Sequence, residues 1–80
     1  MKFISTSGHG YLRVTRNQVN RAIVKGYKPS NYSFYNDKCA MLEEDCDAGE
    51  FLKIMFPDKK FNEIPDTYQN DINRNCYERF

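Results

Sequence analysis

"CAMLEEDCDAGEFLKIM", residues 39–55, changes its pattern midway, and that change decides the fold. Its first part, CAMLEE (39–44), is a short apolar run of strand type. Further on, Ala48, Phe51, Leu52 and Met55 recur at the spacing of one helical face. Pro57 stops that helix, because proline has no N–H to continue the ladder. Where strand gives way to helix, residues 42–50 hold five carboxylates, Glu43, Glu44, Asp45, Asp47 and Glu50, with one cysteine and one glycine.

Upstream, NYSFY (31–35) has strand composition and NDK (36–38) is turn chemistry, so 31–44 reads as a hairpin. An earlier hairpin pairs Lys2–Ser5 with YLRV (11–14) around SGHG (7–10), whose glycines are available for positive φ. Leu12 and Val14 share one face of that strand, Tyr11 and Arg13 the other. Thr15 and Gln18 have capping-box spacing. Val19, Ala22 and Ile23 then mark a helical face, and Gly26 with Pro29 ends a helix over 16–25. Downstream, FNEI (61–64) reads as an edge strand ended by Pro65. The tail places Ile72, Cys76 and Phe80 at four-residue spacing and admits either a short helix or an extended strand. The order is ββαββα plus a tail. It predicts a single α+β domain over 1–80, with a small antiparallel sheet of four or five strands and two helices on one face. Phe3, Leu12, Val14, Val19, Ala22, Ile23, Phe34, Leu42, Phe51, Leu52 and Met55 are its predicted core.

Hydrophobic residues make up 40% of the 80-residue chain, enough for a compact core and too many for a disordered chain. No run approaches the roughly 18–20 apolar residues of a membrane span. The N-terminus lacks a signal-peptide apolar region, which predicts a cytoplasmic protein with no membrane partner. Three cysteines without a CxxC pair argue against a secreted disulfide framework. The net charge of +1 hides an asymmetry: residues 1–40 sum to +6 and residues 41–80 to −5, with no acid before Asp37. Either the two halves attract each other across the fold, or the molecule presents two faces of opposite sign.

The acidic stretch supports several readings. The plainest is structural: Asp45 or Asp47 caps the second helix, and acids at its N-terminus meet the favourable end of the dipole. An EF-hand is excluded, because the DxDxDG spacing is missing. Cys39, Cys46, Cys76 and His9 are the right ligand types for a Cys₃His zinc site, but their spacings fit no zinc knuckle. Cys46 at a helix start has the position of an activated thiol, which its neighbouring carboxylates oppose. These weights predict no metal, no cofactor and no enzymatic activity. As a contact surface, Glu43, Glu44, Asp45 and Asp47 would dock on a basic partner protein. The alternative working surface is basic and aromatic: Tyr11, Arg13, Arg16, Arg21, Lys25 and Tyr35, with Tyr32 beside them, for stacking nucleic-acid bases and neutralising phosphates.

Three segments, GHGYLRV (8–14), LEEDCDAGEFL (42–52) and YERF (77–80), together resemble a family of small uncharacterised proteins from phages, prophages and plasmids. Members of that family read approximately HGYLxVP, then a strand ending in YLEEDCDA, then FL, then a tail closing on RxYxRF. This chain departs from the pattern at Thr15, where proline is usual, and in CAM, which replaces a more β-branched strand. Cys39 and Cys76 have no counterpart. The resemblance implies a source and no mechanism. With that source, the expectation is a mobile-element protein that binds a host protein, as an inhibitor of host defence of the anti-CRISPR or anti-restriction type. A nucleic-acid-binding domain is the alternative, and a metal-dependent or thiol enzyme ranks below both.

Overall fold

The computed structural model of the chain describes residues 1–69 and 74–80. Its elements are β1 (Lys2–Ser5), β2 (Gly10–Thr15), α1 (Arg16–Val24), β3 (Phe34–Tyr35) and β4 (Cys39–Glu43). A π-helical turn (Glu44–Ala48) then runs into α2 (Gly49–Met55). A 3₁₀ turn (Phe61–Glu63), β5 (Asp66–Tyr68), a second 3₁₀ turn (Arg74–Cys76) and β6 (Glu78–Arg79) complete the order. Among the described residues no helix is long and apolar enough to cross a membrane.

The strands form one sheet in the order β5-β1-β2-β4-β3-β6. The α+β class holds, but the sheet is mixed: β5 lies parallel to β1, and every other pair is antiparallel. FNEI is not the edge strand. Glu63 and Ile64 donate back to Lys60 and Phe61 at 3.1 Å, which closes a 3₁₀ turn. The edge forms after Pro65, whose carbonyl accepts from Phe3 N at 2.7 Å, while Gln69 N reaches Ser5 O at 2.8 Å. The tail supplies a second edge strand, β6, paired to β3. Ile72 of the proposed tail spacing lies outside the described residues.

Local sequence explains most termini. Around α1 both halves of the capping box form: Gln18 N donates to Thr15 Oγ1 at 3.1 Å and Thr15 N to Gln18 Oε1 at 2.9 Å. At its other end Gly26 takes φ 102°, and Tyr27 N reaches back to Ala22 O at 3.0 Å, a Schellman closure. The β3–β4 turn is held by Asn36, whose Oδ1 accepts from both Lys38 N and Cys39 N at 2.9 Å. In the β1–β2 loop, by contrast, neither Gly8 nor Gly10 uses positive φ. Thr6 closes that loop instead: its N–H and hydroxyl both donate to His9 O, at 2.8 and 3.0 Å.

Strand alternation sorts side chains onto two faces. Phe3, Leu12, Val14, Ala40 and Leu42 face the helices and pack with Val19, Ala22, Ala48, Phe51 and Leu52. The opposite face carries a second cluster of Ile4, Tyr11, Phe34 and Met41, against which Tyr77 packs. The single predicted core is therefore two. Phe34 belongs to the second cluster, because its register partner is Met41 and not the helix-facing Ala40. Met55 only borders the main core, and Ile23 is 42% exposed at the margin of a stripe centred on Val19 and Ala22.

Leu52 and Ile23 therefore separate in a thermal or urea melt. Leu52→Ala, at a 4% exposed site, is expected to cost about 2–5 kcal/mol. Ile23→Ala is expected to cost less than about 1 kcal/mol, since little apolar contact is lost and alanine favours the helix.

Candidate functional site

The acidic stretch divides into inward and outward residues. Glu43, the last residue of β4, is the cap of the helical segment: its carboxylate accepts from Cys46 N at 2.8 Å. Neither Asp45 nor Asp47 fills that role, because the π-helical turn begins directly after the strand and the cap position falls on Glu43. Asp47 is 4% exposed and is withdrawn from the predicted acidic surface. Its carboxylate accepts from Ser30 N at 3.0 Å, from Ser30 Oγ at 2.7 Å and from Ser33 Oγ. Ser33 Oγ in turn accepts from Glu43 N at 2.8 Å. Tyr27 Oη donates to the Asp47 carbonyl at 2.8 Å. Burial first, then the charges of Asp47 and Glu50, push the Tyr27 phenol up, so it stays a donor.

Glu44 and Asp45 are exposed, and no cation pairs with either among the described residues. Glu44 lies over Gly10, where any Cβ would collide with its carboxylate. That close approach brings the first hairpin against the acidic turn, and a side chain at position 10 would displace the flexible end of Glu44. Tyr11 is also the register partner of Glu43. Around this junction His9, Tyr11, Tyr32, Glu43, Asp45, Cys46 and Arg79 line an open cavity of about 520 Å³. The volume falls within the range of small-ligand and side-chain pockets. Its walls come from four segments: the β1–β2 hairpin, the loop before β3, the acidic turn with the end of β4, and the C-terminal strand. Arg79 is held by its own contact, Nη1 donating to Asn31 O at 2.6 Å. It was not legible as a site residue, because the pairing of β6 with β3 alone brings it there.

The cavity does not activate its thiol. A hydrogen bond to Glu43, the largest effect, together with the charges of Glu43, Asp47 and Asp45, pushes the exposed Cys46 thiol up. All three cysteines are free, with Cys39 buried and Cys76 exposed. Among the described residues no three His, Cys, Asp or Glu side chains converge as metal ligands. What the site offers is carboxylate and aromatic surface for a cationic or hydrogen-bonding group, with Arg79, among the described residues, as the one cation in its lining.

The basic aromatic surface is dispersed. Tyr11 is 3% exposed inside the second cluster, with the Phe34 ring 5.1 Å away, so it is not a stacking platform. Tyr35 lies on the opposite side of the sheet, packed against the main core. Its ring is occupied by Arg16, whose guanidinium carbon sits 4.1 Å from the ring centroid, with Phe80 on the same cation at 5.9 Å. Arg13 projects from the outer sheet face, whereas Arg21 and Lys25 stand exposed on α1 and its cap. These six residues do not share one surface, because the sheet separates them.

Comparisons with protein-family models, with curated proteins and with solved structures find no match to this chain.

Two measurements follow from the division of the acids. Asp47→Ala is expected to lower unfolding stability by at least about 1.5–3 kcal/mol, the worth of one hydrogen bond to a charged group. Asp45→Ala should stay within about 0.5 kcal/mol of the parent. Separately, a raised thiol pKa means less thiolate at pH 8. Cys46 should therefore be alkylated by iodoacetamide more slowly than the exposed Cys76, when each is followed by peptide mass spectrometry. Glu43→Gln, which keeps an acceptor for Cys46 N and removes the charge, should speed Cys46 alkylation.

Proposed function

We propose that this protein is a non-catalytic binding protein that docks on a basic surface of a partner protein through Glu44, Asp45 and the cavity beside them. One observation carries the reading: among the described residues the exposed carboxylates Glu44 and Asp45 have no cationic partner, Asp45 lines a cavity walled by Tyr11 and Tyr32 with Glu44 next to it in the chain, and the thiol there is pushed up by its acidic neighbours. Unpaired exposed charge adds little to the fold itself, so its worth lies in long-range attraction and orientation of a partner. Tyr32, 63% exposed at the rim, supplies apolar area at low entropic cost. With the phage and plasmid resemblance, the partner is a host protein. The role is that of an inhibitor occupying a surface on restriction, CRISPR or transcription machinery, where nucleic-acid-binding grooves are basic. The nucleic-acid reading is weaker, because Tyr11 and Tyr35 are both committed to packing.

Capture from host lysate with and without nuclease tests this. A protein partner should survive nuclease treatment. Glu44→Lys with Asp45→Lys should weaken its capture at least about tenfold, mostly through slower association, with strong salt dependence in the parent. Stability in the melt should fall by no more than about 1 kcal/mol per residue, since neither caps the helix and each loses only its attraction to the helix dipole. Loss of the partner on nuclease treatment would sink the proposal.

A further inference from the structure

The strands carry opposite charge at their two ends. Tyr11 and Glu43 lie at the acidic cavity, while the other ends of β2 and β4, at Thr15 and Cys39, border a different hollow. That hollow measures about 270 Å³ and is lined by Lys2, Arg13 and Lys38 among others, with no carboxylate. Lys2 and Arg13 are direct cross-strand partners. Like charges in that position repel, and no acid pairs with either among the described residues. Lys38 is brought to the same place by a fixed turn: its N–H donates to Asn36 Oδ1 at 2.9 Å and its carbonyl accepts from Arg16 N at 3.0 Å. Thr15, on the wall, is the cap of α1, whose first turn contains no acid. The positive end of that helix adds to the field of the three side chains.

We propose that this hollow binds a phosphate dianion, either free or as the terminal group of a nucleotide. Three cationic residues lining a space of this size suit one compact oxyanion, which would also relieve the Lys2–Arg13 repulsion. A nucleic-acid backbone would need the cations to continue as a track. The register row is interrupted: from Lys2 and Arg13 it passes to Met41 and Phe34, which are buried and apolar, before it reaches Arg79, whose guanidinium donates to Asn31 O. The site is independent of the acidic cavity, and its test does not depend on that surface.

The test is titration of ¹⁵N-labelled protein with inorganic phosphate, with AMP, and with chloride at matched ionic strength. Phosphate and AMP should give saturable shifts at the amides of Arg13, Thr15, Lys38 and Cys39, and chloride only a linear drift. Tighter binding of AMP would identify a nucleotide as the source, and equal binding free phosphate. Arg13→Gln and Lys38→Gln should each weaken binding at least about tenfold. Arg13→Gln removes a like-charge pair, so it should melt no lower than the parent, and its loss of binding cannot be blamed on unfolding. Shifts that fail to saturate, or affinity unchanged in both variants, would overturn the site. So would a single-stranded oligonucleotide without a terminal phosphate that binds more tightly than AMP and is equally sensitive to both variants.

Discussion

The buried carboxylate of Asp47 is the constraint on which the rest of this structure depends. An ionised carboxylate taken out of water is costly unless its lone pairs are filled. Here they are filled by a loop that has little other reason to adopt one shape. Ser30 and Ser33 give Asp47 their hydroxyls, and Ser30 also gives its N–H. Tyr27 adds a bond to the Asp47 carbonyl. The segment from Tyr27 to Ser33 is thereby fixed against the start of the second helical segment. That fixes where β3 begins, and β3 is the strand on which β6 pairs. Phe80 N then closes on Ser33 O at 3.3 Å, so the C-terminal strand rests on the same serine. A short carboxylate in a π-helical turn thus determines, through one loop, where the last residues of the chain lie.

The second organising feature is charge. Among the described residues no ion pair joins the oppositely charged halves of the chain. Among the described residues the ion pair is Lys53 with Glu50 at 3.6 Å, within one helix and exposed. Exposed pairs of that kind contribute little. The asymmetry appears instead as two ends of one sheet: carboxylates where β4 runs into the π-helical turn, and Lys2, Arg13 and Lys38 where β2 ends and β4 begins. Antiparallel pairing produces this, because the end of β2 is brought beside the start of β4. Both the proposed partner surface and the proposed phosphate site follow from charge left unpaired by the fold.

The two aromatic clusters explain why the outer sheet face is unavailable for stacking. Phe34 meets both Tyr11 and Tyr77 edge to face, with its ring centroid 5.1 Å from each. Such pairs add about 0.5–1.5 kcal/mol beyond their burial. In a chain this small, a second cluster on the far side of the sheet is a substantial part of the core. The tail contributes to both sides: Tyr77 to the outer cluster, and Phe80 to Tyr35, with ring centroids 4.7 Å apart, and through it to the main core.

The sequence by itself determined the features set by contacts three or four residues apart. The Thr15–Gln18 box, the Gly26 closure of α1, the Asn36 turn and the Phe51–Leu52 face of α2 all depend on local geometry, which residue type and spacing specify. Only the tertiary structure decided which side of the sheet each aromatic occupies. Tyr11 pairs with Glu43 and Tyr35 with Ala40, positions on β4 an odd number of residues apart, so the two tyrosines face opposite ways. That parity depends on two strand registers, and neither is written in the spacing of the tyrosines. The same holds for the acids. Their composition announced a helix start, but Glu43 rather than Asp45 or Asp47 became the cap because the π-helical turn follows the strand without a spacer. Asp47 turned inward because two serines more than a dozen residues upstream were there to meet it. Long-range partners of this kind leave no periodic trace in one sequence, since a hydrogen bond constrains two positions in space and not the distance between them along the chain.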